Sequence, residues 1–224
     1  MSDHIVKSFD KVMGELSAEL LRMSGLVHDQ LTSAINALDL RDASLANRVR
    51  KNDRQVNALD DDIEERVMTI LALRQPVAVD LRATVAALEI SRELERIGDL
   101  AKNIAKRGAV IIEQEPVPMM GEVAEMGRHT AKIVKDVMNA YQTRSVEQAL
   151  AAWNADNEID QYCNEIFYKV LSGMMTDNSN INACTQLLFV VKNLERVGDH
   201  ATNIAESIHF VLTGEKIGER RPKS

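Results

Sequence analysis

Aromatic residues make up only 4% of this 224-residue chain, which also has just four prolines and two cysteines. Runs of β-branched and aromatic residues bounded by Gly or Asn turns are missing, which excludes a sheet-built fold. No stretch approaches the ~20 consecutive apolar residues that a bilayer-spanning helix requires. The first residues, Met1-Ser2-Asp3-His4-Ile5-Val6-Lys7, hold no basic region followed by an apolar one, so no signal peptide is expected. Cys163 and Cys184 lack CxxC spacing, and two buried, idle thiols in a reducing compartment are expected. Positive charge is also short: 27 Lys and Arg stand against 34 Asp and Glu, for a net charge of −7. A surface of this sign repels a phosphate backbone, and no long Lys/Arg block offsets it, so direct nucleic-acid binding is not expected. The one basic cluster, Arg220, Arg221 and Lys223, falls in a short tail over 214–224 that is expected to fray. These absences point to a cytoplasmic protein that meets a membrane only through partners.

The chain is rich in Ala, Leu, Val, Glu, Arg and Lys, mostly residues that lose little freedom in a helix. Val12, Leu16, Leu20, Met23, Val27, Leu31, Ala34 and Leu38 recur at steps of three and four, which predicts an amphipathic helix over 8–39. Asp42 is placed to cap a second helix over 43–73, and Gln75-Pro76 ends it. A third follows over 79–111. Pro116 and Pro118 then punctuate the chain, and the plan recurs: helices over 119–143 and 146–174, a polar break at Asp177-Asn178-Ser179-Asn180, and a last helix to Leu212. The expected fold is all-α: two tandem, elongated three-helix bundles spanning 1–114 and 119–213.

Self-similarity is the strongest signal. Residues 94–105 read Leu-Glu-Arg-Ile-Gly-Asp-Leu-Ala-Lys-Asn-Ile-Ala, and 194–205 read Leu-Glu-Arg-Val-Gly-Asp-His-Ala-Thr-Asn-Ile-Ala, identical at nine of twelve positions. Upstream, Asp53, Val56 and Ile63 match Asp156, Ile159 and Ile166 at an offset of 103. At 100° per residue, Ile90, Leu94, Ile97, Ala101 and Ile104 share one side of the third helix, while Glu95 and Asp99 fall roughly 140–180° away. Glu195 and Asp199 stand likewise against Val190, Leu194, Val197, Ala201 and Ile204. Each carboxylate pair is therefore stacked one turn apart on a face that is not the core stripe.

A single Glu-x-x-x-Asp reads most simply as a solvated face with loose ion pairs, each worth below ~1 kcal/mol. The near-unchanged second copy argues for more, since flanking positions such as Glu89 and Phe189, or Lys106 and Glu206, have diverged. Gly98 and Gly198 add weight, because glycine in a helix interior costs about 1 kcal/mol relative to Ala and suggests close approach by another group. Stacked carboxylates without His or Cys neighbours suit hard cations such as Mg²⁺, Mn²⁺, Ca²⁺ or oxygen-ligated iron. Asn103 and Asn203 could add carbonyl oxygens, and partners would come from the second helix of each half: Asp53, Asn57 and Asp60, or Asp156 and Asp160. Carboxylates held this close ionise together poorly without a cation. A cluster there would be exposed rather than enclosed.

Catalytic groupings are not evident. There is no Gly-rich phosphate cradle and no nucleophile elbow. Glu206 and His209 have the Glu-x-x-His spacing of di-iron bundles, but Lys106 and Ala109 stand at the matching first-half positions. His28 and His129 read as ordinary helical histidines, and Trp153 and Tyr162 as core or interface anchors. A non-enzymatic protein is expected, with a metal-dependent hydrolase or oxidase and a purely structural adaptor as competitors.

Arg74-Gln75-Pro76-Val77-Ala78-Val79-Asp80-Leu81-Arg82, followed by Leu94-Glu95-Arg96-Ile97-Gly98-Asp99, resembles the PhoU family of phosphate-signalling proteins. Leu194-Glu195-Arg196-Val197-Gly198-Asp199 sits where that family's duplicate motif falls. The resemblance implies two similar three-helix bundles acting as a negative regulator of the phosphate-starvation response. Such a regulator maintains phosphate homeostasis by coupling a high-affinity phosphate ABC transporter, through its ATPase subunit, to a sensor histidine kinase. It also implies a homodimer, and multinuclear clusters of iron, zinc, manganese or magnesium on Glu95, Asp99, Glu195 and Asp199. Asp53 and Asp156 are weaker additions from the second helices. A metal-binding helical adaptor without a phosphate-specific role is the alternative. Asn57 stands opposite Asp160, so the two sites need not match in charge, and the second half lacks the Arg-Gln-Pro element.

Overall fold

In a computed structural model, residues 2–176 and 180–218 are described, the side chains of residues 2–8 excepted. Six helices follow in order: α1 (Ser2–Asp39), α2 (Ala43–Arg74), α3 (Ala78–Ile112), α4 (Met120–Thr143), α5 (Val146–Thr176) and α6 (Ile181–Thr213). The predicted breaks are where the chain turns. Asp42 caps α2 by accepting from the Leu45 amide at 2.9 Å. Gln75 ends that helix in the left-handed region at φ 46°, and Pro76 prevents its continuation. Part of the polar break at 177–180 and the basic tail residues Arg220, Arg221 and Lys223 lie outside the described residues.

Packing sorts the helices into layers. α2 touches only α1 and α3, and α5 touches only α4 and α6, so both are outermost. Between them α3 lies along α6 and α1 along α4, which joins the two bundles side by side. Burial follows this position. Outer α2 buries a single stripe, Val49, Val56, Leu59, Ile63, Val67 and Ile70, with Ala46 and Asp53. Inner α3 buries Leu94, Ile97, Ala101 and Ile104 and also Ala87, Ser91, Gly98 and Ala105, because it has neighbours on three sides. Leu16 through Ile208 form one continuous apolar core across both repeats.

Close approach depends on missing side chains. Where α1 and α4 meet, a Cβ on Gly127 would stand 2.7 Å from Ile35 Cγ1 and 3.0 Å from its Cδ1. The α3–α6 seam is polar and follows the repeat with altered chemistry. Ser207 donates to Glu89 at 3.0 Å, while the equivalent pair at the other end, Arg107 and Phe189, makes a cation–π contact at 4.5 Å. Glu89 and Phe189 therefore work at the seam rather than drift on a free surface. At its centre His200 Nδ1 lies 2.6 Å from Glu93 Oε2, and Asn203 donates to the same oxygen at 3.1 Å. Burial pushes the Glu93 carboxyl up, but the His200 and Asn203 hydrogen bonds, with the His200 and Arg96 charges, outweigh it and hold it below the usual carboxylate value.

The α1–α4 contact sets a first expectation. Overpacking costs about 1–3 kcal/mol, against about 1 kcal/mol recovered from helix propensity. Gly127→Ala should therefore lower Tm by several degrees in a thermal melt. In the Ile35→Ala background, where the obstructing atoms are gone, the same change should cost little; equal costs in both backgrounds would refute the contact.

Candidate functional site

The carboxylates of the first motif lie in the groove between α2 and α3, neither in the core nor fully in water. Three packed sides leave α3 little free surface, so the expectation of an exposed carboxylate face is corrected. Glu95 and Asp99 are half-buried, and Asp53, facing them from α2, is only 5% exposed. Gly98 makes this approach feasible: a Cβ there would stand 3.3 Å from Val56 Cγ1.

The groove's cation is its own. Lys102, one turn beyond Asp99, places Nζ 2.6 Å from Asp99 Oδ1 and 2.6 Å from Asp53 Oδ2. These are short, charge-assisted contacts that tie α3 to α2. Asp53 Oδ1 accepts from Gln30 of α1 at 3.2 Å, and the same amide donates to the Gly98 carbonyl at 3.0 Å. Both Asp53 oxygens are thus engaged. Asp60 accepts from the Ser91 hydroxyl, and Glu95 lies 3.6 Å from Arg96 Nε. Burial raises the Glu95 carboxyl above its ordinary value, and the negative charges of Asp99, Asp60 and Asp53 add to this, with Arg96 opposing.

The second motif occupies the equivalent place on α6 with different chemistry. Asp156, also 5% exposed, reaches from α5 over Gly198, where a Cβ would meet its Oδ1 at 2.0 Å. Here the retained glycine makes room for a carboxylate rather than a valine. Thr202 replaces Lys102 and turns its hydroxyl back to the Asp199 carbonyl at 2.7 Å. Lys192 pairs with Glu195 at 2.8 Å. Cys163 takes the position of Asp60, beside Lys192, Glu195 and Asp160; burial, with the two carboxylates, pushes its thiol up.

Structure thus brings Asp53 to Asp99 and within the field of Glu95, and Asp156 onto the Gly198 turn beside Asp199. Other sequence candidates do not join them. Asn57 and Asn103 are exposed, and Asn203 belongs to the α3–α6 seam. Glu206 accepts from the Trp153 indole at 3.1 Å while His209 lies 2.9 Å from the Glu215 carbonyl, so the Glu-x-x-His pair forms no site. His129 packs against Tyr162 at 5.4 Å. Sequence reasoning missed Lys102, Gln30 and Cys163. Lys102 left a trace, being one of the three positions at which the repeated blocks differ.

By donor type the carboxylates fit hard cations. By placement they do not: among the described residues no three His, Cys, Asp or Glu side chains are gathered to hold a metal ion. In the first repeat the Lys102 ammonium already lies between two of the donors.

A family model described as the PhoU domain matches the chain twice, over residues 20–108 and 123–208. Relatives described as phosphate-specific transport system accessory protein PhoU homologues include one from Caulobacter vibrioides, 47% identical over all of this chain and 97% of its own length. Another, from Zymomonas mobilis, is 41% identical over 97% of this chain and 92% of its own. The crystal structure of PhoU from Pseudomonas aeruginosa superposes with a TM-score of 0.90 at 33% identity, over 92% of this chain and 100% of that one. PhoU from Streptococcus pneumoniae superposes at 0.87 with 27% identity, over 94% and 100%.

Glu95 supplies a test of the groove's electrostatics. Its raised pKa means that the folded chain holds this proton more tightly than the unfolded chain does, so the ionised carboxylate opposes folding as pH rises through that pKa. Glu95→Gln should raise Tm modestly at neutral pH. The gain should shrink as pH falls into and below the ordinary carboxylate range, and a pH-independent difference in melts would contradict the assignment.

Proposed function

Because the chain belongs to the PhoU family, matched in both halves and along its whole length, we propose that it is a negative regulator of the phosphate-starvation response and of phosphate uptake. In this reading it holds signalling off when phosphate is plentiful, coupling the ATPase subunit of a high-affinity phosphate ABC transporter to a sensor histidine kinase. The observation that carries it is the whole-length similarity to proteins described as accessory to the phosphate-specific transport system. An acidic, all-helical scaffold with two related faces is suited to meeting two partners. It acts by binding rather than turnover, as a cytoplasmic homodimer. No helix among the described residues is long and apolar enough to cross a membrane, and membrane contact is assigned to the transporter and the kinase.

Deleting the protein is expected to derepress phosphate-scavenging genes in phosphate-replete medium, read by transcript levels; unchanged expression would overturn the regulatory reading. Metal binding is a separable part of the proposal, with Glu95, Asp99, Glu195 and Asp199 as ligands and Asp53 and Asp156 as neighbours. A bound cation would relieve the repulsion among these carboxylates. Protein purified without chelator should carry more metal by elemental analysis than the variant with all four motif carboxylates changed to Ala. Equal content would remove the metal reading and leave the regulatory one standing.

A further inference from the structure

We propose that Lys102 is a built-in cation: its ammonium takes the place a divalent metal would occupy between the α2 and α3 carboxylates, so the first repeat closes its acidic groove without metal. The inference narrows the metal reading: it takes the same carboxylates as the site and removes Glu95 and Asp99 from the ligand set as long as Lys102 is present. Nζ stands 2.6 Å from oxygens on both helices, which is the bridging task a metal would perform. Both Asp53 oxygens are already engaged, Oδ2 by Lys102 and Oδ1 by Gln30. A divalent ion entering here must first displace a like charge held by two carboxylates in a partly buried groove. Thr202 brings no charge to the corresponding place in the second repeat, and its hydroxyl is engaged with its own helix. Lys192, one turn before that motif on α6, pairs with Glu195 and lies in the field of Asp199. The two copies thus differ in where their positive charge comes from.

The test compares wild-type protein with K102T, K102R and K102T/D99N, each stripped with chelator, offered Mn²⁺ and passed through gel filtration. Bound manganese is measured by elemental analysis, and Tm with and without Mn²⁺. K102T should bind about one more Mn²⁺ per chain than wild type, with Tm rising about 5–10 °C at a hundredfold excess over Kd. K102T/D99N should lose both gains, and K102R, which keeps the charge, should match wild type. K102Q, closer to lysine in length, is read in the same way should K102T aggregate. Manganese content equal in wild type and K102T overturns the inference, as does manganese lost from wild type on D99N alone. Manganese lost on D199N reports the second repeat, and so the metal part of the proposed function rather than Lys102.

Discussion

Two helices that must each be buried on more than one side set the terms for everything else in this molecule. α3 closes the first bundle against α1 and α2 and also joins the repeats against α6, and α6 does the reverse. A helix in that position cannot keep one wide polar face in water. Its polar residues go into grooves and seams, where each needs a partner, since an unpaired buried charge is costly. The pairs that result are Glu93 with His200, Asp99 with Lys102 and Arg107 with Phe189. Small residues at Gly98, Ala101 and Ala105, and again at Gly198, Ala201 and Ala205, let neighbouring elements come close enough to make them.

Much of this was legible in the residues. Stripes at three- and four-residue steps marked helices of the first half and the last helix, and recurrence of the plan supplied α4 and α5. Asp42 and Gln75-Pro76 start and end α2 for the chemical reasons expected of them. Duplication announced two related units. Periodicity failed where it assumes a helix with one buried side: measured from the Leu94–Ile97 stripe, Glu95 and Asp99 fall opposite the core, yet α2 covers them. Gln30 was invisible because nothing local to α1 says that its amide reaches both Asp53 and the Gly98 carbonyl. Lys102 was visible only as a mismatch between copies, and mismatches are usually read as drift.

Repeated sequence with unlike contacts is the recurring theme of the two halves. Gly98 admits Val56 where Gly198 admits Asp156, Asp60 has Cys163 for a counterpart, and a hydrogen bond at one end of the seam is a cation–π contact at the other. A shared core fixes helix geometry in both copies, because the apolar positions that interlock are held in common. Groove positions have no such duty to fill volume. Each can change its charge or donor type, as Lys102 against Thr202 does while Asp53 and Asp99 keep aspartates as their counterparts.

Side-by-side joining of the bundles also bears on how the chain is made. Synthesis at ~5–20 residues per second delivers the first repeat several seconds before the second. During that interval the α1 and α3 surfaces destined for α4 and α6 have no cover, although α2 already closes the far side. The unlike pairs along the α3–α6 seam, Glu89 with Ser207 and Phe189 with Arg107, distinguish the true partner from a second copy of the first repeat once it emerges.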